Sequence, residues 1–118
     1  MEDWARPVVA FEIRGRDNAR LQHFYGALFN WQIEANALGF AQIAAGIGGP
    51  EPGPVGFLLK SEAPGITLFV QVLDLRSSLE KAKQLGGSVL AEPFQVPNGP
   101  AIARIADPEG TPVGLIQQ

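Results

Sequence analysis

A unit of sequence that occurs twice sets the strongest limit on what this chain can fold into. The first copy, Val8 to Trp31, reads VVAFEIRGRDNARLQHFYGALFNW. It has an apolar run of strand character, a break at Gly15, an Asp in N-cap position at Asp17, and a helix ending near Asn30. From Leu21 the large apolar residues recur at Phe24, Tyr25, Leu28 and Phe29, a helical spacing that predicts one face lying against a sheet. The second copy starts at Ile66 and reads ITLFVQVLDLRSSLEKAKQLGG. Its cap is Asp74 and its stripe is Leu75, Leu79, Ala82 and Leu85. Gly86 and Gly87 form the stop, because glycine takes the left-handed C′ conformation without a Cβ penalty.

Three short extended segments follow each helix. After the first come WQIEA, FAQIA and VGFLL (Val55 to Leu59), and after the second come SVLAEPFQV, AIARIA and a last strand around Val113 to Gln117. The order strand-helix-strand-strand-strand is therefore used twice. It predicts an α+β fold of two βαβββ modules, residues 1–60 and 66–118, joined by a linker over 61–65 within a single domain. A chain of 118 residues with 46% hydrophobic residues can build its own core. The absence of cysteine removes disulfides, thiolate metal sites and a cysteine nucleophile. A net charge of -3 with no Lys/Arg cluster argues against nucleic acid as a main partner, since phosphate neutralisation needs a basic face. Met1 is followed by Glu2, Asp3 and Trp4 rather than a basic segment and an apolar core, and no apolar run approaches a membrane span. The expectation is a soluble cytoplasmic protein without a membrane partner.

The turns and loops draw attention before the strands do. GIGGPEPGP, Gly46 to Pro54, has seven Gly or Pro among nine residues, but it completes no phosphate-binding fingerprint and leads into prolines rather than a helix N-terminus. It reads as a mobile hairpin loop, and Asn36 to Gly39 as a turn. Asp107-Pro108-Glu109-Gly110 suits a type I turn, which accounts for the two carboxylates with fewer assumptions than acid/base work. His23 is the only histidine and lies off the centre of the apolar stripe, a place for a solvated side chain; alone it builds no two-His metal site or His relay. Pro93 predicts a bent or edge strand, and Trp4 is placed to pack back over the sheet or a partner.

Strand alternation sorts the remaining candidates. Val9, Phe11 and Ile13 share the face that lies under the helices, which leaves Ala10, Glu12 and Arg14 on the other. In the second module Thr67, Phe69 and Gln71 share the corresponding face, and Arg104 stands among small apolar residues in AIARIA. Glu12, Arg14, Thr67, Phe69, Gln71 and Arg104 are thus the candidate ligand-binding residues. Each has a plainer role open to it: Glu12 in a shape-fixing ion pair with Arg14 or Arg104, and Arg104 with its stem packed on the sheet and its head in water. A carboxylate facing inward from an apolar strand needs some partner, and a desolvated Glu12 would be a candidate general base.

Together the FEI…D…FYGALFNW opening, the VQVLDL…LEKAKQLGG segment and the closing IADPEGTPVGLIQQ resemble the vicinal oxygen chelate superfamily. That superfamily contains glyoxalase I, extradiol dioxygenases, and fosfomycin and bleomycin resistance proteins. The resemblance covers essentially the whole chain. It implies that each module curls into a half-barrel with its helix on the outer face, that the pair encloses a cleft, and that dimerisation often completes it. It also implies a divalent metal held by His, Gln or Glu at matching positions of the two modules. Carried over, those positions fall at Ala10, at Thr67, at Gly114, and within Val55 to Leu59, which holds no metal-binding side chain. Ala and Gly cannot coordinate, and a Thr hydroxyl alone is a poor ligand. No metal and no cofactor are therefore expected.

Two function classes follow from this. One is a metal-free, bleomycin-resistance-like module binding a small, partly aromatic molecule in the cleft, with Phe69 and the tryptophans for stacking and Glu12 and Arg104 for polarity. The other is a metal-independent isomerase, cyclase or lyase with Glu12 as base and Arg104 as oxyanion partner. A metal-dependent lyase or dioxygenase ranks below both, as does a structural subunit acting through a homodimer.

Overall fold

A computed structural model describes residues 5–35, 40–45 and 54–117 of the chain. Trp4, the turn at Asn36 to Gly39 and residues Gly46 to Gly53 of the Gly/Pro loop lie outside the described residues. The elements run β1 (Val8–Gly15), α1 (Asn18–Phe29), β2 (Ile33–Ala35), β3 (Ala41–Ile43), β4 (Val55–Lys60), β5 (Gly65–Val72), α2 (Leu75–Gln84), β6 (Ser88–Gln95), β7 (Ala101–Ala106) and β8 (Pro112–Gln117). This is the α+β fold, with strand-helix-strand-strand-strand twice over, that the repeat predicts. The chain divides into two compact units, residues 10–67, and residues 68–118 with the lead up to Val9.

In the first unit the strand order is β2-β3-β4-β1. β1 pairs with β4 in parallel, with Phe11 opposite Gly56 and Glu12 opposite Phe57. β4 pairs antiparallel with β3, and β3 with β2. Asp17 caps α1 as expected: its backbone is extended and its carboxylate accepts the Arg20 N–H at 3.1 Å. Beneath the helix Ile13, Ala41, Ile43 and Leu58 form a buried cluster, with Phe11, Leu21, Tyr25, Trp31 and Ile33 packed on it. This is the face expected for Ile13 and Phe11.

The apolar stripe of α1 is only partly used, which corrects the expectation that all of it lies against a sheet. Leu21 and Tyr25 pack on the cluster, whereas Phe24, Leu28 and Phe29 are each more than half exposed. The reason lies just past the helix. Asn30 takes the left-handed conformation, with φ of 60°, and turns the chain so that Trp31 comes back beside the helix. Its ring stacks on Tyr25 with centroids 5.5 Å apart and planes 15° apart, and it reaches Phe11 at 5.8 Å. Trp31 thus supplies apolar cover that the last helical turn would otherwise give. It also means that the second strand starts at Ile33, not at Trp31.

In the second unit the order is β5-β8-β7-β6. β5 and β8 are parallel, while β7 pairs antiparallel with β8 and with β6. Val72, Leu75, Leu79, Ala103 and Leu115 form the core under α2. Asp74 caps the helix by accepting the Ser77 N–H at 3.1 Å, and Gln117 Oε1 accepts the Leu75 N–H at 2.6 Å. One more of the orphan donors of the first turn is thereby satisfied from a strand 42 positions away.

The C-terminus of α2 stops at the glycines as predicted. Gly87 N–H donates to the Ala82 carbonyl at 2.9 Å and Gly86 N–H to that of Lys83 at 3.2 Å. With φ of 96° at Gly86, this is a Schellman closure. Leu85, expected in the buried stripe, is instead exposed, because as C-cap it has already left helical geometry. β6 stands at the end of the strand order and its register shifts on both sides of Ala91, so Pro93 lies in an irregular outer strand.

Candidate functional site

The helices cover one face of each set of strands, and the candidate residues stand on the other. In the first unit the parallel register of β1 and β4 sets Glu12 beside Phe57 and Arg14 beside Leu59. Phe57 meets Phe40 edge-on with centroids 5.6 Å apart. Glu12 is only 4% exposed, and Arg14 Nε lies 3.7 Å from its Oε2. Placement of a carboxylate among aromatic and aliphatic side chains is costly without such a counter-charge. The expected Glu12–Arg14 pair is therefore present. Arg14 also spreads over Gly65, where a Cβ would lie 2.6 Å from Nη2.

Thr67 is 1% exposed, and its hydroxyl is buried with no hydrogen-bond partner among the described residues. Gln71 is half-buried, and its backbone N–H donates to the Pro7 carbonyl at 2.9 Å.

The second unit brings Phe69 and Arg104 together. Phe69 is opposite Gly114 across β5 and β8, and Arg104 is opposite the same glycine across β8 and β7. The three residues form one row, and the missing side chain in its middle lets the outer two meet. The Arg104 guanidinium carbon lies 5.2 Å from the Phe69 ring centre, within the range of a cation–π contact. A Cβ on Gly114 would run into the ring of Phe69. Sequence inspection placed both residues on a ligand face but missed this contact, which depends on strand register.

The acidic turn does structural work. Asp107 Oδ1 accepts N–H groups from Glu109 at 2.9 Å and Thr111 at 3.0 Å, and Gly110 N–H closes onto the Asp107 carbonyl at 2.9 Å. The Thr111 amide, then that of Glu109, holds the Asp107 carboxyl below the usual carboxylate range. Asp74 is lowered likewise by hydrogen bonding to the Ser77 side chain and then its backbone N–H. His23 is exposed on α1. A shallow hollow of about 230 Å³ at the β2–β3 hairpin is lined by Gln32, Glu34, Ala35, Gln42 and Ala44.

The positions that the superfamily's metal would use do not fit one. Ala10 has no donor, Thr67 offers a single hydroxyl, and the space above Gly114 is filled by the Phe69 ring. Among the described residues no group of three or more His, Cys, Asp or Glu comes together. A catalytic zinc or iron site needs about three nitrogen, sulfur or carboxylate donors from the protein.

Comparison with known proteins agrees with the fold. Residues 10–116 match the family described as the glyoxalase-like domain. The chain belongs to that family, within the vicinal oxygen chelate superfamily. Among curated proteins none matches the sequence. A hypothetical protein from Bacillus halodurans C-125 has a similar structure, with a TM-score of 0.71 and 14% identity over 98% of this chain and 96% of that one. So does methylmalonyl-CoA epimerase from Mycobacterium tuberculosis, at 0.66 and 17% over 93% and 86%. A third is the NAD-dependent benzaldehyde dehydrogenase from Legionella pneumophila, at 0.66 and 17% over 92% and 96%. At such identities the likeness is one of fold. Among the described residues no helix is long and apolar enough to cross a membrane.

Proposed function

We propose that the protein is a glyoxalase-like small-molecule binder that works without the superfamily's metal, its ligand lying on the helix-free face of the strands. The observation that carries this reading is Glu12. A carboxylate that is 4% exposed stands in an apolar strand, on the face away from the helix, at a cost in desolvation that core packing does not require. Arg14 stands beside it in the same unit, and on the helix-free face of the other unit Phe69 and Arg104 are in contact. A few polar groups in an otherwise apolar surface are the usual composition of a small-molecule site.

A second reading uses the same residue. It is a metal-independent isomerase, cyclase or lyase in which the buried Glu12 acts as general base; a methylmalonyl-CoA epimerase is among the proteins of similar fold. One experiment addresses both readings. Thermal shift and ligand-observed NMR with a set of small aromatic and aliphatic acids, amides and thioesters would be run on the wild type and on Glu12→Gln, with turnover followed in the same samples. A binder keeps its fold and loses modest affinity in the variant; an enzyme keeps affinity and loses most of its rate. Failure of every compound to bind the wild type would reject the binding assignment.

A further inference from the structure

We propose that the hollow at the β2–β3 hairpin takes a protonated amine of the ligand, with Glu34 as its counter-charge; the proposal rests on the small-molecule reading above. Ile33, Ala41, Ile43 and Leu58 belong to the cluster under α1, so strand alternation turns Glu34, Gln42 and Phe57 to the helix-free face. Strand register then sets these residues in one row. Glu34 is opposite Gln42, Gln42 is opposite Phe57, and Phe57 is opposite Glu12. The row crosses the four strands of the first unit, from the hollow to the buried carboxylate on which the binding reading rests.

The two ends of the row differ in chemistry. Glu12 faces the Arg14 guanidinium, whereas Glu34 takes part in none of the ion pairs among the described residues. Around Glu34 the hollow, about 230 Å³, adds the side-chain amides of Gln32 and Gln42. An ammonium has three N–H donors and no acceptor. One carboxylate and two amide oxygens answer those three donors, and the carboxylate balances the charge. An anionic head group would instead meet Glu34 as a like charge. The hollow is smaller than the roughly 300–1,000 Å³ of a drug-sized site, so it suits a small molecule or the head of a larger one. Phe57, two strand spacings or about 10 Å from Glu34 along the row, meets Phe40 at 5.6 Å, and the two rings offer an apolar surface to the ligand's body. The ligand class is an amine carrying a flat or aliphatic body.

Phenethylamine and its neutral counterpart phenethyl alcohol test this. Each would be titrated at low salt into the wild type, Glu34→Gln and Glu109→Gln, with affinity read by ligand-observed NMR. Glu34 is exposed, so its replacement leaves the core untouched. The wild type is expected to bind the amine about fivefold tighter than the alcohol, the upper range of an accessible ion pair. That preference should fall below about twofold in Glu34→Gln, with affinity for the alcohol retained. Glu109→Gln removes the same charge from a turn of the second unit and should keep the preference, which separates Glu34 from the net charge of the chain. Equal binding of the two probes by the wild type, a preference that survives in Glu34→Gln, or one lost equally in Glu109→Gln overturns the amine assignment and leaves the binding reading standing. Binding of neither probe also overturns the amine assignment, and the acids, amides and thioesters of the first experiment then decide the binding reading by themselves.

Discussion

Phe69 and Arg104 meet across a glycine. They lie two strands apart, each opposite Gly114 in its own ladder, and the guanidinium comes to 5.2 Å from the ring centre. A side chain at 114 would separate them, so the glycine is as much a part of the contact as the two residues that make it.

Gly114→Ala is therefore expected to destabilise the protein, by about 1–3 kcal/mol, because a methyl group must displace a buried ring. In a Phe69→Ala background the same substitution should cost far less. Urea unfolding of the four proteins in this cycle checks it, and equal costs in both backgrounds would show that the ring is not what excludes the methyl.

Arg14 stands beside a carboxylate with little access to water. Arg14→Met should lower stability by about 1–3 kcal/mol, the range for leaving a buried polar group short of a partner. The loss should be smaller when Glu12 is already Gln, since no charge then needs balancing. Chemical denaturation at neutral pH is the measurement.

The two ends of the α2 stripe should respond differently. Leu79, 4% exposed within the core of the second unit, is expected to cost about 2–5 kcal/mol on truncation to Ala. Leu85, the exposed C-cap residue, should change stability by no more than about 0.5 kcal/mol. Similar losses at both positions would mean that Leu85 is covered in solution.

Asp74 and Asp107 predict an acid limb in the stability profile. Both carboxyls are held below their ordinary value in the folded chain by hydrogen bonds. The unfolded chain therefore binds protons first as pH falls. Their contribution is complete above the unfolded carboxylate range, near neutral pH, and is lost as pH drops through that range toward the lower folded values. Melting temperatures of Asp74→Asn and Asp107→Asn between neutral and acid pH should show a flatter acid slope than the wild type.

Much of this molecule was legible in local sequence. Asp17 and Asp74 mark their helices because a capping carboxylate bonds within a few residues of itself. Gly86 and Gly87 mark a stop because the left-handed turn is a property of one residue. The faces of β1 and β5, with Glu12 and Arg14 on one and Phe69 on the other, follow from the period of two. The repeat of these signals was enough to predict the two modules.

What the tertiary structure decided lies between residues far apart in the chain. Periodicity places Leu21, Phe24, Tyr25, Leu28 and Phe29 on one helix face, but it cannot say how much of that face the partner surface reaches. Trp31, brought back by the turn at Asn30, settled that by stacking on Tyr25. Gln117 caps α2 from the last strand, and the Phe69–Gly114–Arg104 row exists only in the register of three strands. Caps and periods are written into a few consecutive residues; register and side-chain cover are fixed only when the strands pair.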